Sequence, residues 1–346
     1  MEKFLINYFY VSITIKIHGG FHIKTIGFVI SHKNNEKRRA LLPKDLLNIQ
    51  FRDQLFFEEN YGADLGYSDA EYRACGVNVV KRDQVLKSDA IVDVKLGDAN
   101  YFDEISPGKI LIGWAHAVQD IKFTNAVLAG NHTVIAWEEM FENGRYIFYR
   151  NREIAGEAAI LQAYQYVGKM PYETNVAILG NGHTAKGALR ILHGLGAEVD
   201  VYGRKLEALF QKNMNQYDVL VNCVMWDTSR TDRIIYKKDL KHLKTGATII
   251  DVSCNPHLEI ETSRPSSIDN PVYTIDGIIH YSVDNTPAMF PHTVTNIISK
   301  EFAKIIDQFS TSQYSGMIYR AMIIDKGHII DKHIIEFREA RGLLVK

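Results

Sequence analysis

The run Gly180-x-Gly182-x-x-Ala185, inside "NVAILGNGHTAKGALRILHGLGAEVDVYGRK", is the first place where residue types and spacing carry chemistry. It follows an apolar stretch that reads as a buried strand and opens a helical pattern, the context in which such glycines bind a dinucleotide. Gly180 permits a tight turn, Gly182 lets the backbone approach a pyrophosphate, and the helix N-terminus turns its positive end to that anion. At the end of the next strand, "EVDVY", an NAD site would place an acid for the ribose 2′-hydroxyl. Here Gly203 holds that place, and Arg204 and Lys205 follow. Asp200 sits mid-strand and is expected to point off the sheet. Two cations beside a small residue suit a 2′-phosphate, with a solvated turn as the alternative. The cofactor expected from these residues is NADP(H).

A second group lies in the N-terminal half, in "NNEKRRALLP", "VDVKL" and "GWAHAV". Lys95 falls at the C-terminal end of one strand and His116 just past the end of another. Ligands of parallel sheets bind outside those carboxyl ends, so the two side chains are placed to share a cleft. With Arg38 they suit a keto acid. The guanidinium would hold the carboxylate bidentately, Lys95 would polarise the keto oxygen, and His116 would supply or remove the proton. Each also has a plain alternative: Arg38 and Lys95 as surface cations, His116 as a hydrogen-bonded core residue.

The elements that must position these groups alternate between strand and helix, which implies parallel sheets with crossover connections. "TIGFVIS", "AIVDVKL", "KILIGWA" and "TVIAWEE" read as strands of a first series. "SDAEYRACG" reads as a helix, with Ser68 as N-cap, Glu71 at the capping-box position and Gly76 as terminator. A long helical stretch, Glu153 to Met170, leads into a second series, "NVAILG", "AEVDVY", "DVLVNCV" and "ATIIDVS". After Pro291, "HTVTNIISKEFAKIIDQF" reads as a helix returning to the first domain. The expected organisation is an extension over 1–23, a discontinuous substrate domain over 24–152 and 292–346, and a cofactor domain over 153–291.

At 346 residues the chain is comfortable for two domains. Its formal net charge of −1 argues against nucleic-acid or membrane-surface partners, which call for a basic face. Three cysteines without metal-like spacing fit a reducing, cytoplasmic compartment and give no metal site. The apolar part of the N-terminus, Phe4 to Ile15, is shorter than the ~20 residues of a membrane span, and it lacks a small-residue cleavage site. It is read as an appendage.

With these residues in view, the chain resembles the alanine dehydrogenase/transhydrogenase family from about Lys24 to Lys300. "EKRRALLP", "GADLGYSDAEYRACG", "VDVKL", "WAHA", "EIAGEAA", "IIDVSCNPHLEIETSRP" and "PVYTIDGIIHYSVDNTPAMFP" match its motifs in order. The resemblance implies an α/β fold of two doubly wound parallel-sheet (Rossmann-like) domains with a cleft between them. Carried across by motif, Arg38 matches the family's carboxylate-binding arginine, Lys95 its substrate lysine and His116 its catalytic histidine. Arg39 falls where the family has an apolar residue, and Asn255 stands where the family has a second catalytic group, an aspartate. An amide cannot titrate, so Asn255 would orient a substrate amine or cofactor rather than act as acid or base.

Those departures and the NADP-suited strand end fit an opine-type synthase within the family. Such an enzyme condenses pyruvate with the side-chain amine of ornithine (or lysine) and reduces the imine with NADPH. Asn255 and Trp226, at the end of the "NCVMW" strand, are then expected on the nicotinamide side, with a packing aromatic as the alternative for Trp226. Arg39, Arg152 and Glu153 are candidates for holding the second amino acid, and a homo-oligomer is expected. The competing readings are alanine dehydrogenase-like amination of pyruvate, a saccharopine dehydrogenase-like enzyme, and an NADP(H)-binding regulatory protein.

Overall fold

A computed structural model describes residues 23–346 other than 228, 229 and 312, so the N-terminal appendage reading lies almost wholly outside the described residues. Strands β1 (Ile26–Phe28), β2 (Leu55–Glu58), β3 (Asn78–Val80), β4 (Ala90–Val92), β5 (Ile110–Gly113) and β6 (Thr133–Ala136) begin a first sheet. Their spatial order is β3-β2-β1-β4-β5-β6, and neighbours run parallel. A short hairpin, β7 (Phe141–Glu142) and β8 (Arg145–Tyr146), follows.

A second, six-stranded sheet contains β9 (Asn175–Leu179), β10 (Glu198–Tyr202), β11 (Val219–Asn222), β12 (Thr248–Asp251), β13 (Val272–Ile275) and β14 (Ile278–Tyr281). Its order is β10-β9-β11-β12-β14-β13, with only β13 antiparallel to its neighbour. The chain then returns, and β15 (Met322–Asp325) and β16 (His328–Ile329) extend the first sheet to eight strands, antiparallel beyond β6. The molecule is thus α/β, built as two Rossmann-like, parallel-dominated sheets.

Strand residues such as Ala90-Ile91-Val92 and Ile110-Leu111-Ile112 are buried on both faces, as parallel sheets covered by helices require. Apolar clusters accordingly lie on both sides of each sheet. The helix at Asp69–Ala74 carries the expected capping box. Ser68 Oγ accepts from Glu71 N–H, and Glu71 returns the bond to Ser68 N–H at 2.7 Å. The helix Pro291–Phe302 packs on the first sheet's side, with Thr295 Oγ1 accepting from Arg39 N–H and Ser299 Oγ from Leu42 N–H. It ends at Phe302, earlier than the periodicity predicts, and a separate short helix follows at Asp307–Thr311.

The long helix Tyr149–Val167 starts four residues before the predicted onset and stops at Gly168, which is left-handed. It crosses the helix His183–Gly194 with backbones in contact. A Cβ at Gly187 would lie 1.9 Å from the Glu153 carbonyl oxygen, and one at Gly156 would lie 2.1 Å from that of Thr184. Only glycine fits at both sides of this crossing.

Candidate active site

Lys95 is not on a strand. β4 ends at Val92, and Lys95 lies in the turn beyond it. The fully buried Asp93 carboxylate accepts from Lys95 N–H (3.0 Å) and from the Ser31 hydroxyl, so a contact 62 residues away in sequence bends the chain out of the strand. At the end of β5, Gly113 has φ +158, and a Cβ there would lie 1.8 Å from the Asp93 carbonyl oxygen. The two loops therefore meet backbone to backbone. His116 follows in the left-handed region (φ 49), held by Glu138, whose carboxylate accepts from Ala115 N–H (3.2 Å) and His116 N–H (2.6 Å).

These turns bring Lys95 Nζ to 3.5 Å from His116 Nε2. Lys95 is almost wholly buried, and burial pushes its ammonium below the ordinary range, partly opposed by Asp284. Crowding by protein, and then the Lys95 charge, pushes the imidazolium of His116 well down too, although the ring itself stays open to the cleft. At neutral pH His116 is a neutral base beside a cation whose proton is loosened.

Asp284, beyond the end of β14 in the second sheet, completes this group. Its carboxylate bonds Lys33 Nζ at 2.6 Å, and the charges of Lys95 and Lys33 hold its pKa down against burial. Lys33 also bonds Asp98 (3.0 Å), whose other oxygen lies 3.7 Å from Lys95 Nζ. Sequence reasoning missed Asp284, Lys33 and Asp98. The available signal for Asp284 was an acid just past a strand end, inside the quoted "HYSVDNTPAMFP".

Arg38 reaches the same cleft, but its fork is already occupied. Its Nε and Nη2 bond the two oxygens of Glu36, Nη2 also bonds Asn285 Oδ1 (2.6 Å), and Nη1 bonds Asn151 Oδ1 (3.0 Å). Four of its five N–H donors are engaged. The free bidentate clamp expected from sequence is therefore corrected to a single remaining N–H. The physical reason is Glu36, two residues away and equally buried, whose carboxylate is held in its charged form by Arg38 against the cost of burial. Of the three candidates for the second amino acid, Arg39 and Glu153 are hydrogen-bonded to protein and Arg152 is stacked on a ring. Arg39 is buried on the Tyr61 and Arg38 carbonyls and Asp64, Arg152 lies over the Tyr146 ring at 4.0 Å, and Glu153 is bonded by Arg150, Arg190 and His183.

On the second sheet, Gly180 has φ +101, and a Cβ there would meet the Cys223 carbonyl oxygen at 2.8 Å. A Cβ on Gly182 would project into space with no atom within 4 Å, and Gly182 is the N-cap of the helix His183–Gly194. The loop is thus a tight turn with an open floor at a helix N-terminus, and it fits a dinucleotide pyrophosphate. Ala185 is buried against the sheet below it. Gly203, at the end of β10, lies beside the loop residue Asn181, and Arg204 and Lys205 follow, both exposed and without a partner among the described residues. Asp200, mid-strand in β10, accepts a bond from the Tyr217 hydroxyl at 2.7 Å.

Trp226 is 8% exposed and belongs to the apolar cluster of this domain, with the Arg230 guanidinium 4.3 Å above its ring. Those are the contacts of a packing aromatic. Asn255 is half-buried, beyond the carboxyl end of β12, and its Nδ2 donates to Glu259 Oε1 at 2.7 Å. Glu259 is fully buried. Burial, opposed by the Asn255 bond, pushes its pKa up to about 7. Burial pushes the thiol of Cys254, beside Asn255, well up, and the charge of Asp251 adds to it. Among the described residues no cluster suited to a metal ion occurs, and no helix is long and apolar enough to cross a membrane.

Two nucleotide-type sheets whose carboxyl edges converge on a lysine–histidine pair define a two-domain Rossmann-like oxidoreductase. The chain belongs to the alanine dehydrogenase/PNT family: the family's N-terminal domain matches residues 30–147 and its C-terminal domain residues 203–337. The chain is 31% identical to an N(5)-(carboxyethyl)ornithine synthase of Lactococcus lactis subsp. lactis (strain IL1403), over 84% of this chain and 98% of that one. It is 25% identical to an alanine dehydrogenase of Methanococcus maripaludis, over 87% and 91% of the two chains. Among solved structures, an L-alanine dehydrogenase superposes with a TM-score of 0.76 at 20% identity, covering 91% of this chain and 99% of that one. The family uses a nicotinamide dinucleotide.

Proposed function

We propose that this enzyme uses NADPH to condense pyruvate reductively with the side-chain amine of ornithine, or of lysine, giving N5-(1-carboxyethyl)ornithine or its lysine counterpart. In this reading residues 24–152 and 292–346 bind substrate and residues 153–291 bind NADP(H). The observation that carries the reaction is the Lys95–His116 pair at 3.5 Å, open to a cleft that Asp284 closes from the other domain. Lys95 polarises the keto oxygen of pyruvate. Neutral His116 relays the two protons of the amine nitrogen, one as it attacks and one as the carbinolamine collapses, to the oxygen that leaves as water. Arg38, braced by Glu36, gives its remaining N–H to the pyruvate carboxylate. Asn255 orients the amine, and when bound the dinucleotide supplies the hydride that reduces the imine carbon.

The preference for NADPH is supported by the two unpartnered cations at the end of β10 and by the commitment of Asp200 to Tyr217. Assembly as a homo-oligomer and a cytoplasmic location belong to the same reading, the latter supported by three free cysteines. The test is NADPH oxidation with pyruvate and, in parallel, ornithine, lysine or ammonium, repeated with NADH. Rapid oxidation of NADPH with pyruvate plus ornithine or lysine, and little with ammonium, is the expected outcome. Activity confined to ammonium and NADH would make the enzyme an alanine dehydrogenase instead.

A further inference from the structure

An amino acid used as an amine donor brings a carboxylate and an ammonium of its own. Both lose water on binding and need partners there. Arg39 and Glu153 are engaged elsewhere and Arg152 is stacked on Tyr146, so a further set of partners is sought at other positions.

The strand order β3-β2-β1-β4-β5-β6 puts the topological switch of the first sheet between β1 and β4, and ligands of such sheets lie across that point. Lys95 and His116, which follow β4 and β5, occupy one side of it. On the other side, beyond the ends of β1, β2 and β3, is a concavity of about 330 Å³, lined by Ser31, His32, Glu58, Arg82, Asn100 and Glu104. Arg82 bonds Glu58 (2.9 Å) and the Ile30 carbonyl (3.1 Å), both through Nη1, and stacks over Tyr101 at 5.5 Å. Its Nη2 and Nε remain for a carboxylate. The Glu104 carboxylate is exposed and has no bond to protein among the described residues, and His32 is likewise exposed.

One guanidinium between two carboxylates disfavours a simple anion and a simple cation alike, since each meets a like charge. A zwitterion meets both signs in its favour. The concavity also shares a wall with the Lys95 group. Ser31 Oγ, in its lining, accepts from Lys95 N–H at 3.2 Å, and Lys33, two residues on, bonds the Asp98 that lies beside Lys95 Nζ.

We propose that this concavity binds the α-carboxylate and α-ammonium of the amine-donating amino acid. Arg82 takes the carboxylate, Glu58 and Glu104 take the ammonium, and the side-chain amine reaches across the switch point to Lys95 and His116. The assignment rests on the reductive-condensation reading above.

The test varies ornithine at saturating pyruvate and NADPH in the wild type, Arg82→Gln and Glu104→Gln. The ornithine KM rises ~10-fold or more in Arg82→Gln and several-fold in Glu104→Gln, the loss expected for one charged hydrogen bond. The KM values for pyruvate and NADPH stay within twofold. Butylamine, which has the side-chain amine without the head group, serves all three enzymes equally poorly. Because Arg82 also bonds its own loop, its thermal midpoint is measured alongside. The Glu104 carboxylate is exposed and bonds nothing among the described residues, so its variant folds and keeps the test decisive. An unchanged ornithine KM in Glu104→Gln and in folded Arg82→Gln overturns the subsite while leaving the reaction intact. A wild type that turns over neither ornithine nor lysine overturns the reaction itself, and that result is in hand before any variant is made.

Discussion

Around Lys95 and His116, at the carboxyl edge of the first sheet, the charged groups already have partners. At the edge of the second, Arg204 and Lys205 stand exposed with none among the described residues. Glu36 and Asn285 hold Arg38, Asp98 and Asp284 hold Lys33, and the charge of Lys95 helps to keep His116 neutral. The first edge is small, crowded and set in place before any substrate arrives, as catalysis by orientation requires. The second offers an open glycine floor and loose cations to a long, charged ligand that brings its own negative counterpart. In the proposed reading the group around Lys95 does the chemistry and the second edge holds the cofactor.

Exchanging the two roles by mutation tests that contrast. The largest effect is expected at the crowded edge: His116→Ala lowers kcat by roughly 10³-fold, within the usual span for a positioned acid–base group, while NADPH binding, followed by fluorescence, stays as it was. Persistent turnover in that variant would show that the proton moves by another route. At the open edge, Arg204→Ala weakens NADPH by about 10-fold through loss of a charge-assisted bond, leaves kcat largely intact, and barely changes the KM for NADH. An equal loss with both nucleotides would remove Arg204 from the 2′-phosphate.

The smallest effect concerns Glu259, the buried acid behind Asn255. Its folded pKa of about 7 stands above its ordinary 4.5, so the folded protein holds a proton that the unfolded chain releases between those values. Stability therefore falls as pH rises from about 4.5 to about 7 and levels off beyond. Glu259→Gln keeps an oxygen for the Asn255 amide and removes that slope, gaining on the order of 2 kcal/mol at pH 8 relative to pH 5. Denaturant unfolding at the two pH values reads it directly, and parallel curves for variant and wild type would contradict the raised pKa.

Much of this arrangement can be read from local pattern. Strands β9 to β12 announce themselves as apolar runs, the Ser68–Glu71 cap as a spacing, and the glycine loop by its place between a strand and a helix. Lys95 and His116 are found for the same reason, since both stand beside strand ends that hydropathy locates. What escapes is whatever depends on chain segments far apart. Nothing near Lys95 says that Ser31 will draw Asp93 out of the strand, or that Asp284 arrives beside Lys33 from 251 residues away. The engagement of Arg38 is subtler, because Glu36 is a near neighbour in sequence. Only the burial of both side chains in one pocket makes the pair close. The hairpin of β15 and β16 escaped too, since short strands with little alternation leave no periodic signal.

The crossing at Gly156 and Gly187 has a mechanical consequence. Two helices in backbone contact have no side-chain layer through which to slide or tilt, so the helix Tyr149–Val167 and the helix that opens at the glycine loop move as one body. The first of these also carries Asn151, which accepts a bond from Arg38 at 3.0 Å. Thr286, in the return segment before Pro291, bonds the Ala155 carbonyl of the same helix at 2.9 Å. Two absent methyl groups thus let one pair of helices carry both the glycine loop and a contact to Arg38.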